Sequence, residues 1–281
     1  MFQENLFKDK TIVITGGASG LGLAMAKLFA ALGARLVLAS RSQERLKSGA
    51  AQVSALGRAP VETFQLDVRD PDAVERFAAS VENKCGHVDA LVNNAAGNFL
   101  AASEDLSTNA FRSVVETVLH GSFFCSQAFG RQMIRHHRGA ILNIVATYAW
   151  TGSSFVLPSA CAKAGVLAMT QSLAVEWATY GIRVNAIAPG MIPTQGAFSR
   201  LMPPALEQEA KRRIPDGRYG TPEELANLAA FLLADESAHI NGEVVALDGG
   251  EWLSGTGFND LARAERGPMK QLFASLKPRK S

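Results

Sequence analysis

The sequence predicts an α/β fold built on a doubly wound parallel sheet of about seven strands. Three observations carry that expectation. Short β-branched runs alternate along the chain with longer segments whose apolar residues recur at helical spacing. Those runs are nearly continuously apolar, the pattern of parallel strands covered on both faces. And the first run passes straight into a glycine-rich turn that opens a helix.

Taken in order, the strand candidates are TIVIT (11–15), RLVLA (35–39), VETFQL (61–66), VDALVN (88–93), AILNIV (140–145), IRVNAIA (182–188) and EVVAL (243–247). Helical periodicity fills 20–32, 42–56, 71–84, 108–136, 159–180 and 222–234. In such a sheet ligands sit at the carboxyl ends of the strands, near the switch in strand order. The stretch 189–221, rich in Pro, Gly and charge, interrupts the alternation. It reads as a substrate lid around 191–220 rather than a second domain, so 1–281 is expected to be one domain.

The 281 residues, 47% of them hydrophobic, are enough for a large core. A net charge of +2 gives no electrostatic case for nucleic acid or a membrane surface. Cys85, Cys125 and Cys161 have no metal or redox spacing, and their odd number argues against a disulfide framework. They suit a reducing compartment. No His/Cys/Asp cluster has metal-ligand spacing, so no metal is expected. The start, MFQENLFKDK, lacks a signal core and is no Arg-rich transit peptide, no apolar run would span a bilayer, and KPRKS is not a peroxisomal ending. The expectation is a soluble, cytoplasmic protein.

The turn TGGASGLG places Gly16, Gly17, Ala18, Ser19, Gly20, Leu21 and Gly22 between a strand and a helix. Backbone N–H groups there can approach a pyrophosphate at the positive end of the helix dipole, as in a Rossmann-type dinucleotide site. The second strand ends in Ser40 and Arg41 with no acid, which suits the 2′-phosphate of NADP(H). The structural alternative is that Arg41 is a solvated loop residue. Asp67, closing the third strand, can accept from an adenine amine, with Val68 beside the ring. Asn94 and Ala95, in NNAAG at the end of strand four, lie where a cofactor would cross the sheet, or simply tie strand ends together.

TGGASGLG, NNAAG, the helix of Lys163 and the A-P-G of 188–190, in that order, resemble the short-chain dehydrogenase/reductase family over nearly the whole chain. The resemblance implies that Pro189, Gly190, Met191 and Ile192 lie along a nicotinamide, that Thr194 assists, and that Lys163 holds the nicotinamide ribose. It also implies a serine, a tyrosine thirteen residues on and a lysine four beyond. Here those positions hold Ala146, Ser159 and Lys163, and an Asn of the family aligns with His120. A serine hydroxyl is a far weaker acid than a phenol, so Ser159 cannot stand in for the tyrosine. Tyr148, eleven residues before Ser159 and just past strand five, is the candidate replacement.

A displaced phenol suits conjugate reduction. There the hydride lands on an alkene carbon while charge appears on a carbonyl oxygen several bonds away, and the donor must follow that oxygen. NNAAGNF (93–99), TYAWTGS (147–153), FVLPSACAKAG (155–165), GAFSRL (196–201), EELANLAAFL (223–232) and FNDL (258–261) resemble one branch of the family, the NADPH-dependent 2,4-dienoyl-CoA reductases. That resemblance implies that Tyr148 and Asn98 bond the thioester oxygen, that Ser159 supports the site, and that Arg41, Arg69, Phe99, Ser107 and Arg200 contact CoA. It implies an acyl-CoA substrate, a 3-enoyl-CoA product and a homotetramer. Two rivals stand beside it: another NADPH-linked enoyl-thioester or carbonyl reductase, and a catalytically silent NADP-binding regulator.

Overall fold

The structure, a computed structural model, describes residues 2–57, 59–194, 204–255, 259 and 266–275. Seven parallel strands form one sheet: β1 (Thr11–Thr15), β2 (Arg35–Ser40), β3 (Val61–Gln65), β4 (Ala90–Asn93), β5 (Gly139–Ile144), β6 (Ile182–Pro189) and β7 (Val244–Leu247). Their spatial order is β3-β2-β1-β4-β5-β6-β7. The order reverses between β1 and β4, so a crevice is expected above their carboxyl ends.

Strand periodicity explains the double cover. Ile12 and Ile14 face one layer with α1 (Gly20–Ala31), while Val13 between them faces the other with α3 (Pro71–Cys85) and α5 (Gly121–His136). Both layers are dry, so successive residues of β1 must all be apolar or bonded. The edge strand β7 departs from the expected full cover, since its four residues are only partly buried.

Three differences from the sequence expectation concern the site. The helical stretch 108–136 is broken: α4 (Thr108–Val115) passes through one π-helical turn at Glu116–His120 before α5 begins. A one-turn helix, α6 (Tyr148–Thr151), occupies the segment after β5. And α7 (Leu157–Trp177) starts two residues earlier than its periodicity suggests, with Pro158 in its first turn. The expected lid contains α8 (Pro204–Arg213), followed by α9 (Pro222–Leu233), which opens on a Thr221/Glu224 capping box. Residues 195–203, including Arg200, lie outside the described residues.

Candidate active site

The glycine turn is built by close approach. Gly16 (φ +64°) and Gly20 (φ +53°) adopt backbone that side chains disfavour. A Cβ on Gly22 would lie 2.3 Å from the Gly16 carbonyl oxygen, so the helix start presses on the strand end. Thr15 Oγ1 is the hub of the arrangement. It donates to the Val92 carbonyl (3.3 Å) and accepts from the backbone N–H of Asn94 (3.0 Å) and Ala95 (3.1 Å). Asn94 Nδ2 donates to the Thr15 and Gly16 carbonyls at 3.0 and 3.2 Å, so its amide ties β1 to β4. Ser19 precedes α1 without bonding its first turn through the side chain, which leaves those N–H groups for an anion. Thr194 closes the other side, 3.7 Å from where a Cβ on Gly20 would stand. Gly190, at the end of β6, donates to Leu247 O (3.0 Å), and Met191 O accepts from Gly220 N (3.1 Å), which fixes the strip through Pro189 and Ile192. The shape fits a dinucleotide: a pyrophosphate-sized cradle with free amides and no room for side chains.

At the ends of β2 and β3 the structure pairs two residues that were expected to act separately. The Arg69 guanidinium forks onto the Asp67 carboxylate (2.6 Å at its shortest of three contacts), and the Arg69 backbone N–H adds a fourth bond. That fork holds the Asp67 carboxyl below the usual carboxylate range, with Arg41 adding a weaker pull. Asp67 is therefore already engaged, and Arg69 is turned to it. Arg41 is exposed, its carbonyl held by Gln65 Nε2 (3.0 Å), beside half-buried Ser40. Val68 is buried against Gly121, where a Cβ would come within 2.6 Å of it.

The candidate catalytic residues Tyr148, Ser159 and Lys163 gather between β5 and α7. Ser159 and Lys163 are one turn apart on α7 and share its buried face. Lys163 Nζ donates a short hydrogen bond to the Ile144 carbonyl at the end of β5. Burial lowers its pKa from the ordinary lysine value to about 8. Ser159 Oγ, in a residue 2% exposed, shares a 3.0 Å hydrogen bond with the Tyr148 hydroxyl. Tyr148, eleven residues earlier in the chain and expected as the replacement phenol, thus meets the serine that holds the expected tyrosine position. Burial raises the Tyr148 pKa, and the bond to Ser159 only partly opposes that.

Asn98 sits in the loop after β4, where its Oδ1 accepts from Phe99 N (2.9 Å). Its Nδ2 has no partner among the described residues. Ala101 N donates to Phe155 O (3.0 Å), which ties this loop to the segment leading into α7. Phe99 packs against a core group containing Val145 and Ala162, beneath the site. Ser107 caps α4 by accepting from Ala110 N (3.2 Å). His120 is exposed, with its ring 6.1 Å from that of Phe124.

Sequence reasoning missed Thr15 as a hub. It also missed a buried amide chain in which Asn93 Nδ2 donates to Asn143 Oδ1 and Asn143 Nδ2 to Thr170 Oγ1, each at 2.8 Å. The signal was present: an asparagine inside the apolar run AILNIV must be bonded if buried. Clefts of about 910 and 690 Å³ open at the opposite, amino-terminal edge of the sheet. The glycine turn, Lys163 and Tyr148 all lie at the carboxyl edge, so the chemistry is placed there despite those volumes.

A family model described as enoyl-(acyl carrier protein) reductase matches residues 16–251. A Bacillus subtilis protein named a probable 2,4-dienoyl-CoA reductase, (2E)-enoyl-CoA-producing, is 46% identical over 88% of this chain and 98% of its own. A Caenorhabditis elegans protein named a probable 2,4-dienoyl-CoA reductase, (3E)-enoyl-CoA-producing, is 42% identical over 89% and 83% of the two chains. Among solved structures, a short chain dehydrogenase from Bacillus anthracis is similar at 45% identity and TM-score 0.80, covering 89% of this chain and 99% of that one. Levodione reductase follows at 34% identity and TM-score 0.85, covering 88% and 99%.

Proposed function

The chain belongs to the short-chain dehydrogenase/reductase family, and from that premise we propose that it reduces 2,4-dienoyl-CoA thioesters with NADPH. The observation that carries the reading is the 3.0 Å bond between Tyr148 and Ser159, one helical turn from Lys163. That bond supports Tyr148 as the phenol that would serve the reaction in place of the usual tyrosine.

Membership of the family implies a nicotinamide cofactor, and the glycine turn is shaped to hold one. When bound, the nicotinamide supplies hydride to the δ carbon, C5, of the diene. The first-turn amides of α1 and Thr194 would hold the pyrophosphate, and Lys163 would hold the ribose hydroxyls. Asp67 is neutralised by Arg69, so Arg41 leaves this corner net positive, which favours a 2′-phosphate over a bare hydroxyl.

Charge develops on the thioester oxygen, far from C5. Tyr148 Oη and Asn98 Nδ2 donate to that oxygen and stabilise the dienolate. Protonation at the α carbon then leaves the double bond between C3 and C4, giving a 3-enoyl-CoA. Protonation at the γ carbon would leave a 2-enoyl-CoA instead; the Bacillus subtilis relative is named for that product and the Caenorhabditis elegans relative for the 3-enoyl product. Ser107 would contact the CoA portion, in the assembly of four subunits expected for the family, while Arg69 is engaged by Asp67 and Arg200 lies outside the described residues. The cysteines are free, in keeping with a reducing cytoplasmic location. No helix among the described residues is long and apolar enough to cross a membrane.

The test is NADPH consumption with 2,4-dienoyl-CoA, 2-enoyl-CoA and simple ketones, with the product double bond located by NMR. Rapid turnover of dienoyl-CoA alone is expected. Turnover of ketones or 2-enoyl-CoA with no dienoyl-CoA activity would overturn the assignment, and cofactor binding with no turnover of any substrate would favour the regulator.

A further inference from the structure

Six large apolar side chains stand exposed on segments that meet around Tyr148: Leu100, Trp150, Phe155, Leu157, Trp252 and Leu253. They reach the same place by different routes. Trp150 is two residues past Tyr148 on α6, and its indole lies 5.1 Å from that of Trp252, with the planes tilted by 33°. Trp252 is set after β7 by Asp248, whose carboxylate accepts from Trp252 N at 2.8 Å. Leu100 adjoins the Ala101–Phe155 hydrogen bond, and Phe155 and Leu157 lead into the turn of α7 that carries Ser159.

Phe155 adds an independent sign. It is 59% exposed and has φ +65°. A bulky residue with a Cβ rarely adopts that backbone, and such conformations persist where function or surroundings hold them. Here the strained backbone presents a phenyl ring to solvent four residues before Ser159.

We infer that this rim is the platform for the aliphatic tail of the acyl thioester, with Trp252 and Phe155 setting a preference for longer chains. The inference rests on the dienoyl-thioester reading above. Once the thioester oxygen is held at Tyr148, the tail beyond the diene has to leave the site past a neighbouring wall. The apolar rim beside Tyr148 is such a wall, and methylenes laid on it leave water. A second copy of the chain could cover the same surface, and the experiment separates the two occupants.

Wild type, Trp252→Ala and Phe155→Gly are compared with six-carbon and ten-carbon 2,4-dienoyl-CoA. Each methylene removed from water is worth about fourfold, so the wild type should favour the ten-carbon substrate by more than about tenfold in kcat/KM. Both variants should cut that ratio below about threefold, chiefly through KM. Phe155→Gly should melt no lower than the wild type, since glycine accepts the backbone without strain. Binding is read separately by quenching of tryptophan emission with saturated decanoyl-CoA against free CoA. Decanoyl-CoA should quench wild type more strongly, and Trp252→Ala should lose the difference. An unchanged chain-length ratio in both variants overturns the inference, as does an unchanged ratio with a shift of assembly state in sedimentation, which would assign the rim to a second copy. A wild type inactive on both dienoyl substrates brings down the dienoyl reading itself, and the inference with it.

Discussion

Replacing Tyr148 with Phe removes one oxygen and keeps the ring. In the folded protein that oxygen belongs to a half-buried ring and is oriented by buried Ser159 at 3.0 Å, in a site whose lysine is also buried. Loss of a single preorganised donor to a developing oxyanion costs about one hundredfold to one thousandfold in kcat, or about 2.7–4 kcal/mol. Asn98 remains as a second donor, so a residue of activity near the lower end of that loss should persist. Stability should change modestly. Ser159 Oγ keeps no other bonded partner among the described residues, and an unsatisfied buried hydroxyl costs about 1–3 kcal/mol. For a chain of this size that lowers Tm by about 2–4 °C per kcal/mol. Initial rates of NADPH oxidation on a ten-carbon dienoyl-CoA, with a melt of the same preparation, measure both. Ser159→Ala is the companion, because it leaves the phenol but not its tether, and should cost less in kcat than Tyr148→Phe. A Tyr148→Phe enzyme that keeps its fold and more than about a third of wild-type kcat would refute the assignment of the phenol as oxyanion donor.

Gly22→Ala places a methyl 2.3 Å from the Gly16 carbonyl, so the turn must open; equilibrium binding of NADPH should weaken at least about tenfold, with about 1–3 kcal/mol lost in denaturant unfolding. Arg41→Ala should raise the KM for NADPH by about tenfold or more while leaving NADH little changed, read from steady-state kinetics with both cofactors. Lys163 titrates near 8 in the fold and near 10.5 when unfolded, so kcat/KM should fall above about pH 8 as the ribose-holding cation is lost. Its stability effect has the opposite sense. The unfolded chain binds the extra proton between those values, so unfolding free energy should rise with pH through that window, by up to about 3 kcal/mol, and Lys163→Met should flatten the rise in urea titrations at pH 7.5 and 10.

The frame was legible because its signals are local. TIVIT followed by TGGASGLG specifies a buried strand and a turn that only glycines can make, and β1 and α1 appear where those residues place them. Ser159 and Lys163 were legible as a pair because a separation of four on a helix shares a face. What sequence could not supply was pairing between distant segments. Nothing in Q-L-D-V-R says that Arg69 will fold back on Asp67 rather than reach for a ligand, since a two-residue ion pair depends on how the chain turns after β3. α6 was missed because a single turn has no periodicity to detect, and its fixed geometry comes from contacts made elsewhere. The π turn at Glu116–His120 was missed for a related reason: one extra residue in a helix disturbs spacing too little to interrupt an apolar pattern.

The electrostatics of the relocated phenol decide what it can do. A tyrosine activated for proton delivery needs its pKa brought down, and a lysine ammonium close by is the usual means. Here Lys163 is directed at the Ile144 carbonyl, and burial moves the Tyr148 pKa upward. Such a phenol stays protonated throughout the working range and yields its proton reluctantly. It is a good hydrogen-bond donor and a poor acid. Reduction of a ketone needs the acid, because the oxygen beside the new C–H bond must be protonated to a hydroxyl. Conjugate reduction needs only the donor, because the thioester oxygen is restored to a carbonyl when the carbon chain takes its proton elsewhere. A Tyr148 pKa raised by burial suits donation to a thioester oxygen better than proton delivery to a ketone oxygen, so the carbon is expected to take its proton from another group. Solvent deuterium should enter the product at a single carbon with no loss of rate above pH 8 beyond that set by Lys163. A second alkaline limb, abolished by Tyr148→Phe, would mean that the phenol gives up its proton after all.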